Sequence, residues 1–63
     1  MNIADLIFGE RGIEKEVGVS RQTIFLWEKR GLFPKRIHLG PRLVAWDRKA
    51  VERWLADRIA ATK

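Results

Sequence analysis

The stretch "GVSRQTIFLWEKRG", residues 18–31, decides the fold because it combines a glycine turn with the start and the end of a helix. Just before it, Ile13 and Val17 are four residues apart and fall on one face of a helix. This spacing predicts a short helix from about Glu10 to Val17. Gly18 suits the left-handed conformation that ends such a helix, so the chain is expected to turn there.

Ser20 has the position and the chemistry of a helix cap. Its hydroxyl can accept a hydrogen bond from the unpaired backbone N–H groups of the following turn. The second helix is therefore predicted to run from about Arg21 to Arg30 and to stop at Gly31. A helix, a short turn with glycine and a capped helix together have the spacing of a helix-turn-helix.

The apolar residues of the second helix do not all point the same way. At 100° per residue, Ile24 and Trp27 share one side, which we expect to face the core. Arg21 and Phe25 share another side, with Leu26 flanking them. Trp27 is therefore predicted to be buried, whereas Phe25 and Leu26 are candidates for the outward face.

A hairpin is predicted after the second helix. Pro34 excludes a continued helix and keeps the residue before it extended. Residues 37–39 and 43–46 are short runs of β-prone residues, separated by the turn sequence Gly-Pro-Arg at 40–42. This pattern indicates a small wing with residues 40–42 at its tip.

A third helix follows the hairpin. Asp47 is expected to cap it, and the helix is predicted from about Arg48 to Ala61, with Val51, Trp54 and Leu55 on one stripe. The three tryptophans are predicted to be core residues, since large rings supply area that a small domain needs: Trp27, Trp46 and Trp54. The fold class is mainly α with a small β-hairpin, a winged helix-turn-helix.

The first eight residues leave two structures open. Ile3, Leu6 and Ile7 fit a short helical turn after Asn2, and they also fit an extended segment beside the hairpin. There is no repeat, linker or low-complexity segment. We expect residues 1–63 to form a single domain, near the lower size limit for a self-sufficient core.

Composition limits the class of protein. The chain has 46% hydrophobic residues and no cysteine, which indicates a packed core without a disulfide framework or a cysteine zinc site. The N-terminus does not resemble a signal peptide, and no apolar run approaches the roughly 18 residues of a membrane span. These features predict a cytoplasmic domain that does not contact a membrane.

Charge is concentrated in the middle of the chain. Residues 1–20 contain four acids and two bases, whereas residues 21–48 contain seven bases and two acids, a net charge of +5. Such a basic region behind an acidic one is typical of a face that binds a polyanion, although a solvated basic surface gives the same count.

Catalysis is not expected. His38 is the only histidine, and it lies in a predicted strand without a cysteine, a nearby serine or a second histidine. Neither a catalytic triad nor a metal site with three ligands can be built around it. No glycine-rich nucleotide loop is present, because Gly40 and Pro41 do not precede a helix. No cofactor and no metal is therefore predicted.

Double-stranded DNA fits the residues better. Arg21 and Gln22 lie in the first turn of the second helix, which enters the major groove in helix-turn-helix domains. An arginine can bind guanine O6 and N7 with two hydrogen bonds, and a glutamine can bind adenine in the same way. Phe25, on the same face, could contact a thymine methyl group or pack against the wing. These three residues are the predicted base contacts.

Predicted phosphate contacts surround these residues, because cations and hydroxyls there would fix the register without reading sequence. They are Ser20, Thr23, Lys29, Arg30, Lys35 and Arg36. Arg42, at the hairpin tip, is expected to reach the DNA backbone or an adjacent minor groove. For each of these side chains, a solvated surface position is the alternative.

The chain resembles a known family in the segments "GVSRQTI", "GLFPKRIHLGPRLVAW" and "AVERWL". They are similar to the AlpA-type phage and prophage regulators, which group with small excisionases and MerR-like winged helix-turn-helix domains. The resemblance covers roughly Gly12 to Leu55. It implies a small DNA-binding factor that regulates transcription or directs excision of an integrated element. An integrase is the partner that the resemblance adds. With one recognition helix and little spare apolar surface, the isolated chain is expected to be a monomer, with several copies assembling on repeated sites.

The chain departs from the family pattern in two places, at Glu14 and in the stretch before Glu10, which is longer than the family needs. The family usually has a small residue where Glu14 stands, so Glu14 is expected to turn outward or to shift the packing of the first helix. The segment 8–34 is also similar to phage Cro-type repressors, which lack the wing. A protein-interaction module, such as an anti-repressor or a recombinase-docking domain that uses Phe25 and Leu26, is the rival function from another class.

Overall fold

The computed structural model describes residues 2–62. Its elements in chain order are a 3₁₀ turn at Ile3–Asp5, β1 at Leu6–Phe8, α1 at Gly9–Val17, α2 at Arg21–Lys29, β2 at Ile37–His38, β3 at Val44–Asp47 and α3 at Arg48–Ala61. Three helices and a small antiparallel sheet confirm the expected winged helix-turn-helix. The first strand of the hairpin begins as predicted and ends one residue earlier, at His38, whereas the second lies one residue later than predicted, at Val44–Asp47.

The N-terminal segment adopts both of the structures that the sequence left open. Asn2 caps the 3₁₀ turn by accepting from the Ala4 N–H, and the chain then extends into β1. The sheet order is β1-β3-β2, and all pairs are antiparallel. Ile7 lies opposite Trp46 in this register. The hairpin is therefore part of a three-stranded sheet, whose central strand is β3.

The turn between α1 and α2 has the predicted chemistry. Gly18 has a φ of 82°, and its N–H donates to the Glu14 carbonyl at 2.8 Å. Few residues other than glycine adopt this backbone conformation without strain. The Ser20 Oγ accepts from the Thr23 N–H at 3.4 Å, which confirms the cap. The capping role of Asp47 is also confirmed, because its carboxylate accepts from the Lys49 N–H.

The C-terminus of α2 lies one residue earlier than predicted. Arg30 is the cap residue outside the helix, and Gly31 adopts a φ of 70°. The N–H of Leu32 then donates to the Trp27 carbonyl, and the N–H of Gly31 donates to the Glu28 carbonyl. This pair of bonds is a Schellman motif, which satisfies carbonyls that the helix end leaves free.

The core lies between the sheet and the helices. Its buried side chains come from every helix, from two of the strands and from the loop after α2: Ile7, Ile13, Ile24, Phe33, Ala45, Trp46 and Val51. Trp46, on the central strand, is the largest of the fully buried side chains. The helices α1 and α3 and the strand β1 pack against β3, and α2 packs against α1 with Ile24 in the core.

Only one of the three tryptophans is fully buried. Trp27 and Trp54 are half-buried and pack with Phe33 at the rim of the core, with ring centroids 4.9–6.3 Å apart. The prediction of three core tryptophans is thus correct for Trp46 and wrong in degree for the other two. Trp54 remains near the surface because its indole N–H donates to the carbonyl of Leu32 in an exposed loop.

Two kinds of feature are absent from residues 2–62. None of their helices combines the length and the apolar character that crossing a bilayer requires. Their histidine and acidic side chains also do not form a group of three or more that could hold a metal ion.

Candidate nucleic-acid interface

One face of α2 is exposed along its whole length. Arg21, Gln22 and Phe25 lie on this face, and the Phe25 ring is 51% exposed. Leu26, beside them, is 45% exposed, which confirms that it points outward. Ile24 is fully buried on the opposite side. The helix therefore presents a polar N-terminal turn and an aromatic ring to solvent, held from below by the core.

The guanidinium of Arg21 does not extend freely into solvent. Its Nε donates to Glu14 Oε2 at 3.3 Å and its Nη2 donates to Glu14 Oε1 at 3.4 Å. The backbone N–H of Arg21 donates to the same carboxylate at 2.7 Å. The Glu14 side chain lies at the surface, with 28% of it exposed, so the expectation that it turns outward fits the structure. It reaches across the turn and satisfies an N–H at the start of α2.

This pair perturbs both ionisable groups. The side-chain hydrogen bond from Arg21, together with its backbone N–H, lowers the pKa of Glu14 below the value of 4.5 for a free side chain. The same hydrogen bond raises the pKa of Arg21 above its ordinary value. Both groups are therefore charged at neutral pH.

Arg36 is the most enclosed cation of the face. Its side chain is 17% exposed, and its Nε and Nη2 donate to the Glu28 carboxylate at 3.0 and 3.2 Å. The guanidinium also lies over the ring of Trp46 at 5.0 Å and over that of Phe25 at 5.9 Å. The position expected for a phosphate contact is thus occupied by a guanidinium that already has a carboxylate partner and two aromatic neighbours.

Glu10 connects the two arginines. Its carboxylate oxygens lie 3.7 Å from Arg21 Nη1 and 3.7 Å from Arg36 Nη1. Charges of alternating sign consequently connect α1, α2 and the segment before β2. Their order in space is Glu14, Arg21, Glu10, Arg36 and Glu28. We refer to these five residues as the ion-pair chain. It fixes where two cations of the exposed face stand.

The other predicted phosphate contacts remain free of carboxylates. Within residues 2–62, no ion pair involves Lys29, Arg30 or Lys35. Lys29 Nζ lies 5.0 Å above the centroid of the Phe25 ring. A groove between α2 and β2 gathers most of the charged side chains in this region, and its walls are formed by Phe25, Glu28, Lys29, Lys35, Arg36 and His38.

Ser20 and Thr23 have local partners. Their hydroxyl oxygens are 3.1 Å apart, and the Ser20 oxygen also accepts from the Thr23 backbone. Both residues stand at the first turn of α2, where a phosphate would meet backbone N–H groups. The capping function of Ser20 and its predicted contact with phosphate thus fall on the same hydroxyl.

The tip of the wing is a tight turn. The N–H groups of Leu39 and Gly40 both donate to the carbonyl of Leu43, at 2.8 and 3.2 Å. Arg42 is exposed at this tip, and among the described residues it forms no ion pair. Its guanidinium can therefore bind a ligand without breaking an ion pair within residues 2–62.

Three carboxylates of the ion-pair chain were not recognised as site residues from the sequence: Glu10, Glu14 and Glu28. For Glu14 a signal existed. In a helix-turn-helix the end of the first helix lies beside the start of the second, so an acid seven residues before Arg21 can reach it. For Glu28 and Arg36 no local spacing gives the contact, because the loop between them decides it.

Comparison with known proteins identifies the family. Residues 7–59 match the family described as "Prophage CP4-57 regulatory protein (AlpA)". A protein of Enterobacteria phage P4, named "Uncharacterized protein ORF88", is 44% identical over 46 residues, which are 73% of this chain and 52% of that protein. The chain thus spans about half the length of this relative. No solved structure shows a significant match. The matched residues include the whole helix-turn-helix, the wing and most of α3, and the chain belongs to the AlpA family of phage regulatory proteins.

Proposed function

We propose that this chain is a sequence-specific double-stranded DNA-binding regulator that places α2 in the major groove. The observation that carries the proposal is the exposed face of α2, where Arg21, Gln22 and Phe25 stand beside cations that form no ion pair within residues 2–62. An α-helix with its side chains is about 10–12 Å in diameter, which fits a major groove about 12 Å wide. Membership of a phage regulatory family supports the same function.

The residues divide into two groups by chemistry. Arg21 and Gln22 have the paired donors and acceptors that recognise base edges, and Phe25 offers an apolar surface to a thymine methyl group. The remaining cations act on phosphate and so set affinity and register: Lys29, Arg30, Lys35 and Arg42. The hydroxyls of Ser20 and Thr23 would contact a phosphate at the start of α2. Arg36 acts indirectly in this arrangement, since it holds Glu28 and Phe25 in place.

Selection of bound sequences from a pool of random duplexes tests the proposal. A sequence-specific protein enriches one motif, and footprinting on that motif then gives the number and spacing of bound copies. We expect affinity for the selected duplex to fall steeply between 50 and 200 mM salt, because each phosphate contact releases counterions. A pool without any enriched motif would contradict sequence-specific binding.

A protein partner is the competing function, and the exposure of Phe25 and Leu26 favours it. An apolar protein contact weakens little with salt, so the same titration separates the two functions. Substitution of Leu26 by Ala should leave DNA affinity within about twofold of wild type if the face binds DNA through Arg21 and Gln22.

Transcriptional control and excision use the same DNA contacts, and we propose transcriptional control because the family is a regulatory one. A reporter under the selected site tests this, with an excision assay as its counterpart.

A further inference from the structure

Glu14 is placed to control how Arg21 is presented. Its carboxylate is held by the Arg21 backbone N–H at 2.7 Å, the shortest of its three hydrogen bonds to this residue. A carboxylate fixed to the backbone is a rigid acceptor for the guanidinium of the same residue. The side chain of Glu14 is 28% exposed, and that of Arg21 is 43% exposed. The pair thus lies at the surface but is organised by α2 itself.

The geometry of the pair leaves part of the guanidinium free. An arginine has two edges that can form paired hydrogen bonds, one with Nε and Nη2 and one with Nη1 and Nη2. Glu14 uses the Nε–Nη2 edge. Nη1 is 3.7 Å from Glu10, which is longer than a hydrogen bond. The terminal edge therefore keeps one N–H on each of its two nitrogens and can still bind guanine O6 and N7 with two hydrogen bonds.

We propose that Glu14 is a positioning residue that orients Arg21 toward a base edge and disfavours its use as a phosphate contact. The inference rests on the proposed DNA-binding function and deepens it. Two physical effects act together. The fixed guanidinium loses less rotamer freedom when it meets a guanine. The negative charges of Glu14 and Glu10 also repel a phosphate that approaches Arg21. Both effects raise the preference for the correct sequence more than they raise total affinity.

The variant Glu14→Gln tests this directly. The glutamine carbonyl still accepts from the Arg21 N–H, so the start of α2 is preserved, but the ionic clamp on the guanidinium is lost. We expect the ratio of affinities for the selected and the scrambled duplex to fall about tenfold, near the lower end of what one bidentate base contact supplies. Affinity for the scrambled duplex should stay equal or rise. Glu16→Gln is the matched control, because Glu16 lies on the same helix and pairs with Arg48 at 3.0 Å instead.

A double-mutant cycle shows whether Glu14 acts through Arg21. In an Arg21→Ala background, Glu14→Gln should leave the affinity ratio unchanged. Arg21→Lys keeps the positive charge and loses the planar guanidinium, so it should reduce the ratio of affinities for the selected and the scrambled duplex as Glu14→Gln does. It is the second variant to measure if Glu14→Gln does not fold. Thermal melts of each variant exclude a general loss of structure.

The outcomes separate the possible failures. An equal drop of the ratio in the wild-type and Arg21→Ala backgrounds would overturn the inference, since Glu14 would then act without Arg21. Equal gains in affinity for all duplexes in Glu14→Gln and Glu16→Gln would reduce Glu14 to a repulsive charge and overturn it as well. A wild-type preference that persists in Glu14→Gln contradicts the inference alone. A wild type without any preference contradicts the proposed function, and the inference with it.

Discussion

The two ends of the basic face hold their arginines in opposite ways. At the α2 end, Arg21 and Arg36 are each in contact with two carboxylates, and Arg36 also lies over two rings. At the wing end, Arg42 stands on a tight turn without an ion pair within residues 2–62. Arginines of the same charge therefore have different roles in this face. The anchored end defines orientation at some cost in available charge, whereas the free end offers its charge to a polyanion.

Removal of the Trp46 ring, which lies under Arg36, should cause the largest loss of stability. Trp46 is fully buried beneath the Arg36 guanidinium. Trp46→Ala should cost about 3–5 kcal/mol, because a large cavity opens in the core. That is comparable to the total stability of a domain of this size. Urea denaturation monitored by circular dichroism measures the free energy of unfolding. Leu43→Ala on the wing is the control, because that side chain is 49% exposed. A cooperative transition close to that of wild type would show that the anchored end does not depend on this ring.

The next effect contrasts the two arginines themselves. Arg36→Ala should destabilise the fold by about 1–3 kcal/mol, since it leaves the half-buried Glu28 carboxylate without its charged donor. Arg42→Ala should change stability by less than about 0.5 kcal/mol, as is usual for an exposed surface position. Melting curves of both variants provide the measurement. In the double variant Arg36→Ala with Glu28→Gln, part of the lost stability should be recovered. Equal losses of stability in Arg36→Ala and Arg42→Ala would show that the two ends of the face do not differ.

For DNA affinity we expect the opposite order, with a larger effect of Arg42→Ala than of Arg36→Ala. Arg42→Ala should weaken binding to selected and scrambled duplexes by similar factors. It should also make the dependence of log affinity on log salt shallower by about one unit, because one phosphate contact is lost. Titrations at four salt concentrations give this slope. Arg53→Ala, which removes the same charge from α3, should leave the slope as in wild type. A loss confined to the selected duplex would instead make Arg42 a reader of groove shape or base edges.

The smallest effect concerns acid. The folded state lowers the pKa of Glu14, so the stability that its ionised form contributes is complete above about pH 4.5 and is lost as the pH falls through the lowered folded pKa. Glu14→Gln should therefore show a smaller difference in unfolding free energy between pH 7 and pH 3 than wild type. Glu52→Gln on α3 should behave like wild type in this comparison. Equal acid sensitivity in all three proteins would show that the pair with Arg21 contributes nothing measurable.

Local chemistry accounts for the parts of the fold that could be predicted. Gly18, Ser20, Gly31 and Asp47 are capping residues, and each occupies its expected position, because a cap depends only on its neighbours in the chain. The buried side of α2 followed from its helical period, and Ile24 is fully buried as that period requires. These are features that a few adjacent residues decide.

Contacts between distant segments account for the parts that could not be predicted. The place of β1 depends on the exposed edge of β3, some forty residues later, so the first eight residues left two structures open. The pairing of Arg36 with Glu28 depends on the path of the loop between α2 and β2. At the interface, the residue types of the exposed face were predictable. Which of its cations are already held by carboxylates was not, because helical period and charge counts contain no information on partners.

The register of Ile7 with Trp46 has a consequence for how the chain folds. The first strand of the sheet, β1, pairs with β3, which directly precedes the last helix, so its addition closes a loop of most of the protein. Such long-range closure is slow compared with helix formation and contributes late to the folding pathway. During synthesis the N-terminal residues must wait, unpaired, until β3 has emerged. We therefore expect the helix-turn-helix to form before β1, the strand that precedes it in the chain.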